Sequence, residues 1–426
     1  MGFAPEAPKS GAFVVGDEPY AVRAGAAVMA QGGNAADAAA TMYFALAVTY
    51  PVAAGLGGGG LCLVHDPKRG RNEEFVFLAR STAAGGAYAV PGNVRGIALM
   101  QTSYGVLPWQ RIVAPAEGLA STGFPISQAL AQRLASAENV IRLDAGLAAE
   151  FMDEGGHAKA AGAVVANADL AGTLSEIRTQ GADAVYTGAP AQKILAYATA
   201  QGGAIASGEL GAYATSRVLP HVLRLGDEYV FLPSDETGAG VFAGALFDVL
   251  ARALQTATGS SNTEAAVVVA AKQALGRFTV ADLPNDLGAT GFAATDAGGQ
   301  AVACAVTMNG PFGSGHSAQG TGVTLARAPS SGSAGLAAAF LTPVLATDGA
   351  GNLLLAGAGA GGPVGTASIA DALARLSRGE VVTRRDKPDV AGATVTYDTV
   401  NAILCQSAAC TALPDANSSG LGVGAP

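Results

Sequence analysis

The chain has 426 residues with a net charge of −9 at pH 7; half of the residues are hydrophobic and only 13% are charged. This length exceeds one ordinary hydrophobic core, so two lobes or one large multilayer domain is expected. The acidic balance and the lack of a basic cluster argue against nucleic-acid binding. The longest apolar run, Ala38 to Tyr50, is too short to cross a membrane, so no membrane association is predicted.

The cysteines and histidines bear on compartment and metal content. Cys62 and Cys304 fall in apolar strand patterns and are predicted to be buried thiols, whereas Cys405 and Cys410 lie close together and could pair in an exported protein. The histidines have no metal-ligand spacing, so neither a metal site nor a cofactor is predicted. The N-terminus shows no secretory leader. We therefore expect a periplasmic or extracellular protein if a leader was removed, and a cytoplasmic one otherwise.

The first elements in chain order are two small-residue helices. One covers Tyr20 to Gln31, and Asn34 begins the next, with Asp37 in the capping-box position. The glycines Gly57 to Gly60 then precede a strand at Leu61 to His65. No Gly-Lys-Ser/Thr sequence follows them, and they precede a strand rather than open a helix, so they match neither a phosphate loop nor a dinucleotide fingerprint.

A mostly helical lobe is predicted over about 91–225, with its sole tryptophan, Trp109, in its core. A Ser/Thr/Gly-rich stretch, Thr256 to Thr263, is the clearest linker. A strand at Leu353 to Leu355 leads to a glycine-rich turn and a helix. The last ten or so residues are expected to lack regular structure.

The segment Gly288 to Gly315 predicts a β-hairpin, because apolar residues alternate on both sides of the turn Asp296 to Gly299. Thr290 lies at the entry of the first strand. Thr307 lies near the end of the second, two residues before Asn309. Polar side chains that converge at strand ends, beside flexible backbone, are typical of catalytic sites.

Several motifs in fixed order resemble the γ-glutamyltranspeptidase family, and together they span about 15–380. They are Gly32-Gly33-Asn34-Ala35-Ala36-Asp37, Leu56-Gly57-Gly58-Gly59-Gly60, Leu107-Pro108-Trp109, Gly123-Phe124-Pro125, Tyr186-Thr187-Gly188, Thr307-Met308-Asn309, Phe312-Gly313-Ser314-Gly315 and Gly361-Gly362. The resemblance implies an α+β fold, a four-layer αββα sandwich of the N-terminal-nucleophile hydrolase type. It also implies a zymogen that cuts itself before a threonine, which then attacks γ-glutamyl amides of the glutathione type.

The resemblance also assigns roles to residues. Thr307 matches the threonine that orients the nucleophile, and Asn309 matches the asparagine that contacts the substrate α-amino group. Gly361 and Gly362 match the oxyanion-hole glycines. Arg80 matches only approximately the arginine that binds the substrate carboxylate, because Ser81 follows it where the family has glutamate.

The nucleophile is where the chain departs from the family. The family has two consecutive threonines, of which the first is the nucleophile, and an ungapped count puts Ala289 there and Thr290 second. Alanine cannot be acylated. Three alternatives follow: Thr290 acts after a one-residue shift, the chain is inactive, or an engineered change traps the precursor. A one-residue shift inside a strand would turn each side chain to the opposite face of the sheet, but such a shift is easier at the first residue of the strand.

The acyl pocket also departs from the family pattern. An acidic residue and two serines that hold the glutamate head group are expected in the regions that here read Leu325-Ala326-Arg327-Ala328-Pro329 and Ala337-Ala338-Ala339-Phe340. Their loss would weaken binding of a charged head group. Hydrolysis of γ-glutamyl or related amides is therefore expected, with transfer to amines as a further possibility.

Two functional hypotheses remain. The first is an autoprocessing amidohydrolase with Thr290 as nucleophile, Thr307, Gly361 and Gly362 as its partners, and Arg80 and Asn309 in substrate binding. Residues 1–289 would then form a large-subunit-like segment and 290–426 a small-subunit-like segment of one intertwined domain, and the two would remain associated. The second is an uncleaved, inactive relative that binds a small ligand or a partner.

Overall fold

The computed structural model describes residues 11–235, 238–256, 263–278, 283–329, 335–380, 382, 387–390, 395–406 and 409–425. The linker predicted between Thr256 and Thr263 covers 257–262, which lie outside the described residues. None of the described helices is both long and apolar enough to cross a bilayer.

Two antiparallel sheets form the centre of the fold. The first sheet contains, in spatial order, β19 (Leu421–Gly424), β1 (Phe13–Gly16), β11 (Ala289–Thr295), β12 (Ala301–Thr307), β2 (Gly59–Asp66), β3 (Arg71–Phe77) and β8 (Ser216–Val218). The second contains β18 (Ala409–Leu413), β17 (Thr399–Gln406), β16 (Leu353–Ala360), β15 (Thr342–Thr347), β10 (Glu228–Leu232) and β9 (His221–Leu225). Both sheets therefore combine strands from before and after residue 289.

Short strand pairs accompany the two sheets. They are β4 (Arg80–Ser81) with β5 (Ala89–Val90), β6 (Phe124–Pro125) with β7 (Val164–Val165), and β13 (Ser317–Ala318) with β14 (Val323–Thr324).

The helices fall before, between and after these strands. Those before residue 212 are α1 (Pro19–Ala30), α2 (Ala35–Thr49), α3 (Pro51–Ala54), α4 (Asn93–Tyr104), α5 (Trp109–Thr122), α6 (Gln128–Ser136), α7 (Glu138–Ile141), α8 (Ala145–Phe151), α9 (Ala168–Gln180), the 3₁₀ turn Ala182–Val185, α10 (Ala189–Ala200) and α11 (Ser207–Gly211). Those after it are α12 (Val241–Thr256), α13 (Thr263–Leu275), α14 (Leu336–Ala339) and α15 (Pro363–Leu376). Asn34 and Asp37 form the predicted capping box at the start of α2.

The alternating side chains of β11 and β12 divide the core into layers. Phe292 and Val306 pack with α1, α2 and the helical lobe. Ala293 and Ala303 face the second sheet, where they meet residues such as Ala356. The far face of the second sheet packs against α12, α13 and α15. Helices thus cover the outer face of each sheet, and the predicted αββα sandwich is confirmed.

Two sequence predictions about the cysteines and the tail are wrong. Cys62 and Cys304 are not thiols but form a disulfide, because they lie directly opposite each other on the adjacent strands β2 and β12. Cys405 and Cys410, which the sequence allowed to pair, do form a disulfide, and they lie in the β17–β18 hairpin. The last residues are not irregular throughout, since β19 adds an edge strand to β1.

Buried carboxyl groups couple the stability of this fold to pH. Burial raises the pKa of Glu18, Glu74, Glu150 and Asp398 to about 7. Glu18 caps α1 through the amide of Ala21, and Glu74 accepts a hydrogen bond from the amide of Ser234. Because the pKa of each group is higher in the folded than in the unfolded state, the folded state binds protons more readily.

We predict that the contribution of these groups to the free energy of unfolding is full below their unfolded pKa values and is lost as pH rises to about 7. Glu74→Gln removes one of them, so the variant should lose less stability over this interval than the wild type. Chemical denaturation of both proteins across the interval measures the difference. Parallel stability curves would contradict the assignment to Glu74.

Candidate active site

The junction at residues 288–290 joins a tight turn to the first strand of the hairpin. Ala289 lies opposite Thr307, and Thr290 lies opposite Val306. Gly288 has φ +60°, and a Cβ at this position would lie 2.0 Å from the carbonyl oxygen of Gly310. The close approach requires glycine, and it fixes where strand β11 begins.

The hydroxyl of Thr290 is buried and donates a hydrogen bond to Oδ2 of Asp17 at 2.7 Å. The other carboxylate oxygen of Asp17 accepts from Nδ2 of Asn401 at 2.8 Å. Burial raises the pKa of Asp17, and the charge of Asp415 adds to this, while the bonds from Asn401 and Thr290 oppose it. A carboxylate with a raised pKa is a stronger base, so Asp17 is suited to take a proton from the Thr290 hydroxyl.

The side chain and carbonyl of Ala289 face different partners. The methyl group belongs to a buried cluster with Leu341, Ala358 and Ala360 between the two sheets. The carbonyl oxygen accepts a hydrogen bond from Nη1 of Arg133 at 3.1 Å. Ala289 is therefore adjacent to the end of β16, where the glycine pair begins.

Gly361 and Gly362 connect the end of β16 to α15. Gly361 has φ +93°, and a Cβ there would lie 2.4 Å from the carbonyl oxygen of Tyr397. In the described part of the chain, neither glycine amide donates a hydrogen bond. Two unpaired amides beside a helix N-terminus are suited to bind an oxyanion.

Asp398 lies directly behind this glycine pair. Its carboxylate accepts hydrogen bonds from the amides of Val364 at 2.5 Å and Gly365 at 2.7 Å. Burial raises its pKa to about 7, while the charge of Lys387 and the helix amides oppose that rise. Asp398, which immediately precedes β17, thereby caps α15 beside the glycine pair.

Thr307 and Asn309 close the other side of the junction. The hydroxyl of Thr307 donates to the carbonyl of Gly288 at 3.0 Å and accepts from the amide of Asn309 at 2.8 Å. Asn309 has φ +59°, a conformation that asparagine tolerates better than most residues. Its side-chain amide donates to the carbonyl of Arg327 at 2.9 Å.

A cavity of about 420 Å³ brings together three of the predicted residues, Arg80, Thr307 and Asn309. Its other lining residues are Val76, Leu78, Ala79, Ser216, Val218, Pro329 and Ala338. Arg80 is exposed, lies 4.7 Å over the ring of Tyr213 and donates to the carbonyl of Ala214. Arg80 is the one charged side chain among these described lining residues, so the cavity favours an anionic group attached to an apolar body.

The structure separates the predicted residues into two neighbouring groups. Thr290, Gly361 and Gly362 do not line the cavity, but Thr307 lines it and is also opposite Ala289. Leu78 likewise lines the cavity and packs against the cluster that contains Ala289. The junction and the cavity are therefore contiguous through these side chains.

Sequence reasoning missed Asp17, Arg133 and Asp398. Asp17 is 273 positions from Thr290, and Arg133 is 156 positions from Ala289. No local spacing connects such distant residues. The usable signal was chemical type alone: each is a charged residue in a chain in which only 13% of the residues are charged.

Comparisons with known proteins place these features in context. The model of the gamma-glutamyltranspeptidase family matches residues 21–282, which stop short of the junction. A glutathione hydrolase of Aspergillus flavus is 31% identical over 227 residues, and the match covers 50% of this chain and 38% of that protein. The chain thus spans well under half the length of that curated relative.

Solved structures match over longer stretches. The cephalosporin acylase of Bacillus halodurans has the same fold, with a TM-score of 0.77 and 17% identity over 99% of both chains. The gamma-glutamyltranspeptidase of Helicobacter pylori matches with a TM-score of 0.56 and 26% identity, covering 66% of this chain and 85% of that one.

The backbone at Gly361 generates a stability prediction. Gly361→Ala should lower the free energy of unfolding by about 2–3 kcal/mol, because it adds steric overlap with Tyr397 to an unfavourable φ. Gly70→Ala is the matched control: its φ is +61° and a Cβ there meets nothing within 4 Å, so the cost should be about 1 kcal/mol. Denaturant titration measures both, and equal costs would contradict the crowding at Gly361.

Proposed function

This chain belongs to the γ-glutamyltranspeptidase family, and we propose that it is an autoprocessing amidohydrolase with Thr290 as its N-terminal nucleophile. The observation that carries the proposal is the hydrogen bond from the Thr290 hydroxyl to Asp17. It gives the candidate nucleophile a base before any cut, in the buried junction beside the cavity. Asp17, the residue that would act as this base, was not identified from the sequence.

Self-cleavage between Ala289 and Thr290 would have two consequences. The α-amine of Thr290 would become free to act as the base for its own hydroxyl in later turnovers. The new end at Ala289 could also leave the cluster that it shares with Ala358 and Ala360. Its departure would open a path from Thr290 to the amides of Gly361 and Gly362, which would stabilise the tetrahedral intermediate of amide hydrolysis.

The two segments would stay together after cleavage. Both sheets contain strands from each segment, and the Cys62–Cys304 disulfide joins β2 of the first to β12 of the second. The processed protein would therefore be a covalently linked pair of chains under oxidising conditions.

The cavity suggests the substrate class, γ-glutamyl or related amides. Arg80 would bind a carboxylate through its guanidinium, and Asn309 would contact the acyl chain beside it. Pro329 and Ala338 line the wall where the family resemblance implies an acid and serines, so this wall offers fewer polar partners to an α-amino acid head group. An acyl group with a terminal carboxylate and an apolar chain fits this lining best.

A specific observation favours a second candidate, an uncleaved ligand-binding relative. Ala289, not Thr290, lies opposite Thr307 and packs beside Ala360. In this alternative, alanine occupies the position of the family nucleophile and no acyl-enzyme forms. The cavity with Arg80 would then bind a carboxylate ligand without cutting it.

Self-cleavage separates the two candidates. We predict that the wild-type chain yields two bands on a reducing denaturing gel, that the smaller begins Thr-Gly-Phe, and that both migrate as one species without reductant. Thr290→Ala should abolish cleavage and Thr290→Ser should retain it. Thr295→Ala is the matched control, because Thr295 is also a buried threonine of β11 and its hydroxyl donates to the carbonyl of Gly11, away from the junction. An intact wild-type chain after long incubation would favour the ligand-binding alternative.

Substrate binding tests the role of Arg80. Arg80→Ala should raise KM for a glutaryl or γ-glutamyl anilide by about 10–100-fold with a nearly unchanged kcat, because a charged hydrogen bond contributes about 1.5–3 kcal/mol to binding. Arg69→Ala is a matched control. Arg69 is also exposed, lies 5.1 Å over a tyrosine ring and donates to a backbone carbonyl, but outside the cavity. Equal KM values for Arg80→Ala and wild type would remove Arg80 from the binding site.

A further inference from the structure

We propose that Arg133 is a catalytic residue for self-cleavage, because its guanidinium binds the carbonyl oxygen that becomes the oxyanion. This inference rests on the proposed function of Thr290 and adds an electrophilic group to it. Nη1 of Arg133 lies 3.1 Å from the carbonyl oxygen of Ala289. That carbonyl belongs to the peptide bond that Thr290 would break.

The carbonyl points toward Arg133 because of the strand register. The amide of Met308 donates to the carbonyl of Gly288, so the pair of Ala289 and Thr307 is a non-hydrogen-bonded pair. The peptide groups of Ala289 therefore face away from β12, toward the side occupied by β1. Strand β1 ends at Gly16, opposite Phe292, and leaves no strand partner for Ala289.

Side chains replace the missing strand on that side. Asn401 donates to the carbonyl of Gly291 at 2.9 Å, and Arg133 donates to the carbonyl of Ala289. These two carbonyls lie two residues apart on the same edge of the strand. The Gly291 carbonyl thus has a neutral donor, and the Ala289 carbonyl has a cationic one. A hydrogen bond from a cation strengthens as negative charge develops on the acceptor, so the second arrangement favours attack at Ala289.

Arg133 is held rigidly in place. Its guanidinium makes two hydrogen bonds to the carboxylate of Asp286 and lies 5.3 Å from the ring centre of Tyr50 and 5.1 Å from that of Tyr397. Its side chain is only 1% exposed. Burial opposes its charged form, but the charge of Asp286 raises its pKa and keeps it a cation. A fixed donor does not have to reorganise when the oxyanion forms.

The proposed self-cleavage is an acyl shift from nitrogen to oxygen, followed by hydrolysis of an ester. The Thr290 oxygen attacks the carbonyl carbon of Ala289, its proton passes to Asp17, and the carbonyl electron pair moves to the oxygen bound by Arg133. When the intermediate collapses, the carbonyl reforms, the carbon–nitrogen bond breaks, and the nitrogen of Thr290 takes up the proton. Water then hydrolyses the resulting ester, which leaves a carboxylate on Ala289 and a free hydroxyl on Thr290.

A purely structural role for Arg133 is the competing explanation, since a buried carbonyl needs a donor and Asp286 needs a counter-ion. Arg375 provides a matched control. It is a buried arginine paired with Asp371 and Glu380 near the end of α15. Arg375→Met removes a comparable ion pair without touching the junction.

The experiment follows cleavage of the full chain after cell-free synthesis is stopped, by reducing gel, for wild type, Arg133→Met, Arg133→Lys and Arg375→Met. Thermal unfolding of each chain checks that it is folded. We expect Arg133→Met to cleave about 10²–10³-fold more slowly than wild type. We expect the cleavage rate of Arg133→Lys to lie between those of wild type and Arg133→Met. Guanidinium ion, added below denaturing concentrations, should accelerate cleavage of Arg133→Met alone. Arg375→Met should cleave at the wild-type rate.

The outcomes distinguish this inference from the proposed function. If wild type and Arg133→Met cleave at the same rate, Arg133 has no catalytic role, while Thr290 remains the nucleophile. If Arg375→Met is as slow as Arg133→Met, and neither lysine nor guanidinium restores cleavage, the role of Arg133 is structural. If the wild type never cleaves, both this inference and the proposed enzymatic function are overturned.

Discussion

The arrangement of the junction depends on one constraint: strand β11 extends beyond its neighbour β1. From Phe292 to Thr295 the two strands pair, but β1 ends at Gly16 and β11 continues to Ala289. Its outward carbonyls would otherwise be buried without partners, at a cost of about 1–3 kcal/mol each. Distant side chains therefore converge on this edge, and they bring a carboxylate, an amide and a guanidinium to the same few residues.

Small side chains allow that convergence. Gly291 approaches Ala358 so closely that a Cβ on the glycine would lie 2.7 Å from the alanine Cβ. Five of the seven buried residues in the cluster that contains Ala289 are alanines. Because the sheets lie so close together, the end of β16, with its glycine pair, reaches the start of β11. The same closeness buries Ala289 and Thr290 at the junction.

Much of the fold followed from local patterns in the sequence, whereas the chemistry of the site did not. The capping box at Asn34 and the hairpin around Asp296 depend on neighbouring residues, and both were predicted correctly. The Cys62–Cys304 disulfide depends on which strands become neighbours in the sheet, which alternation alone does not determine. The partner of Thr290 is Asp17, which follows β1, and the partner of the Ala289 carbonyl is Arg133 in α6, so both required the tertiary structure.

The choice between Ala289 and Thr290 as the functional position is the central question, since the two residues face different surroundings. The Thr290 hydroxyl is hydrogen-bonded to a carboxylate, whereas Ala289 lies beside Ala360 and the glycine pair. Intact-mass spectrometry of the reduced, incubated chain tests self-cleavage before Thr290 most directly. We expect a fragment ending at Ala289 and another beginning at Thr290, with one water gained between them. A single mass equal to that of the uncut chain would contradict it.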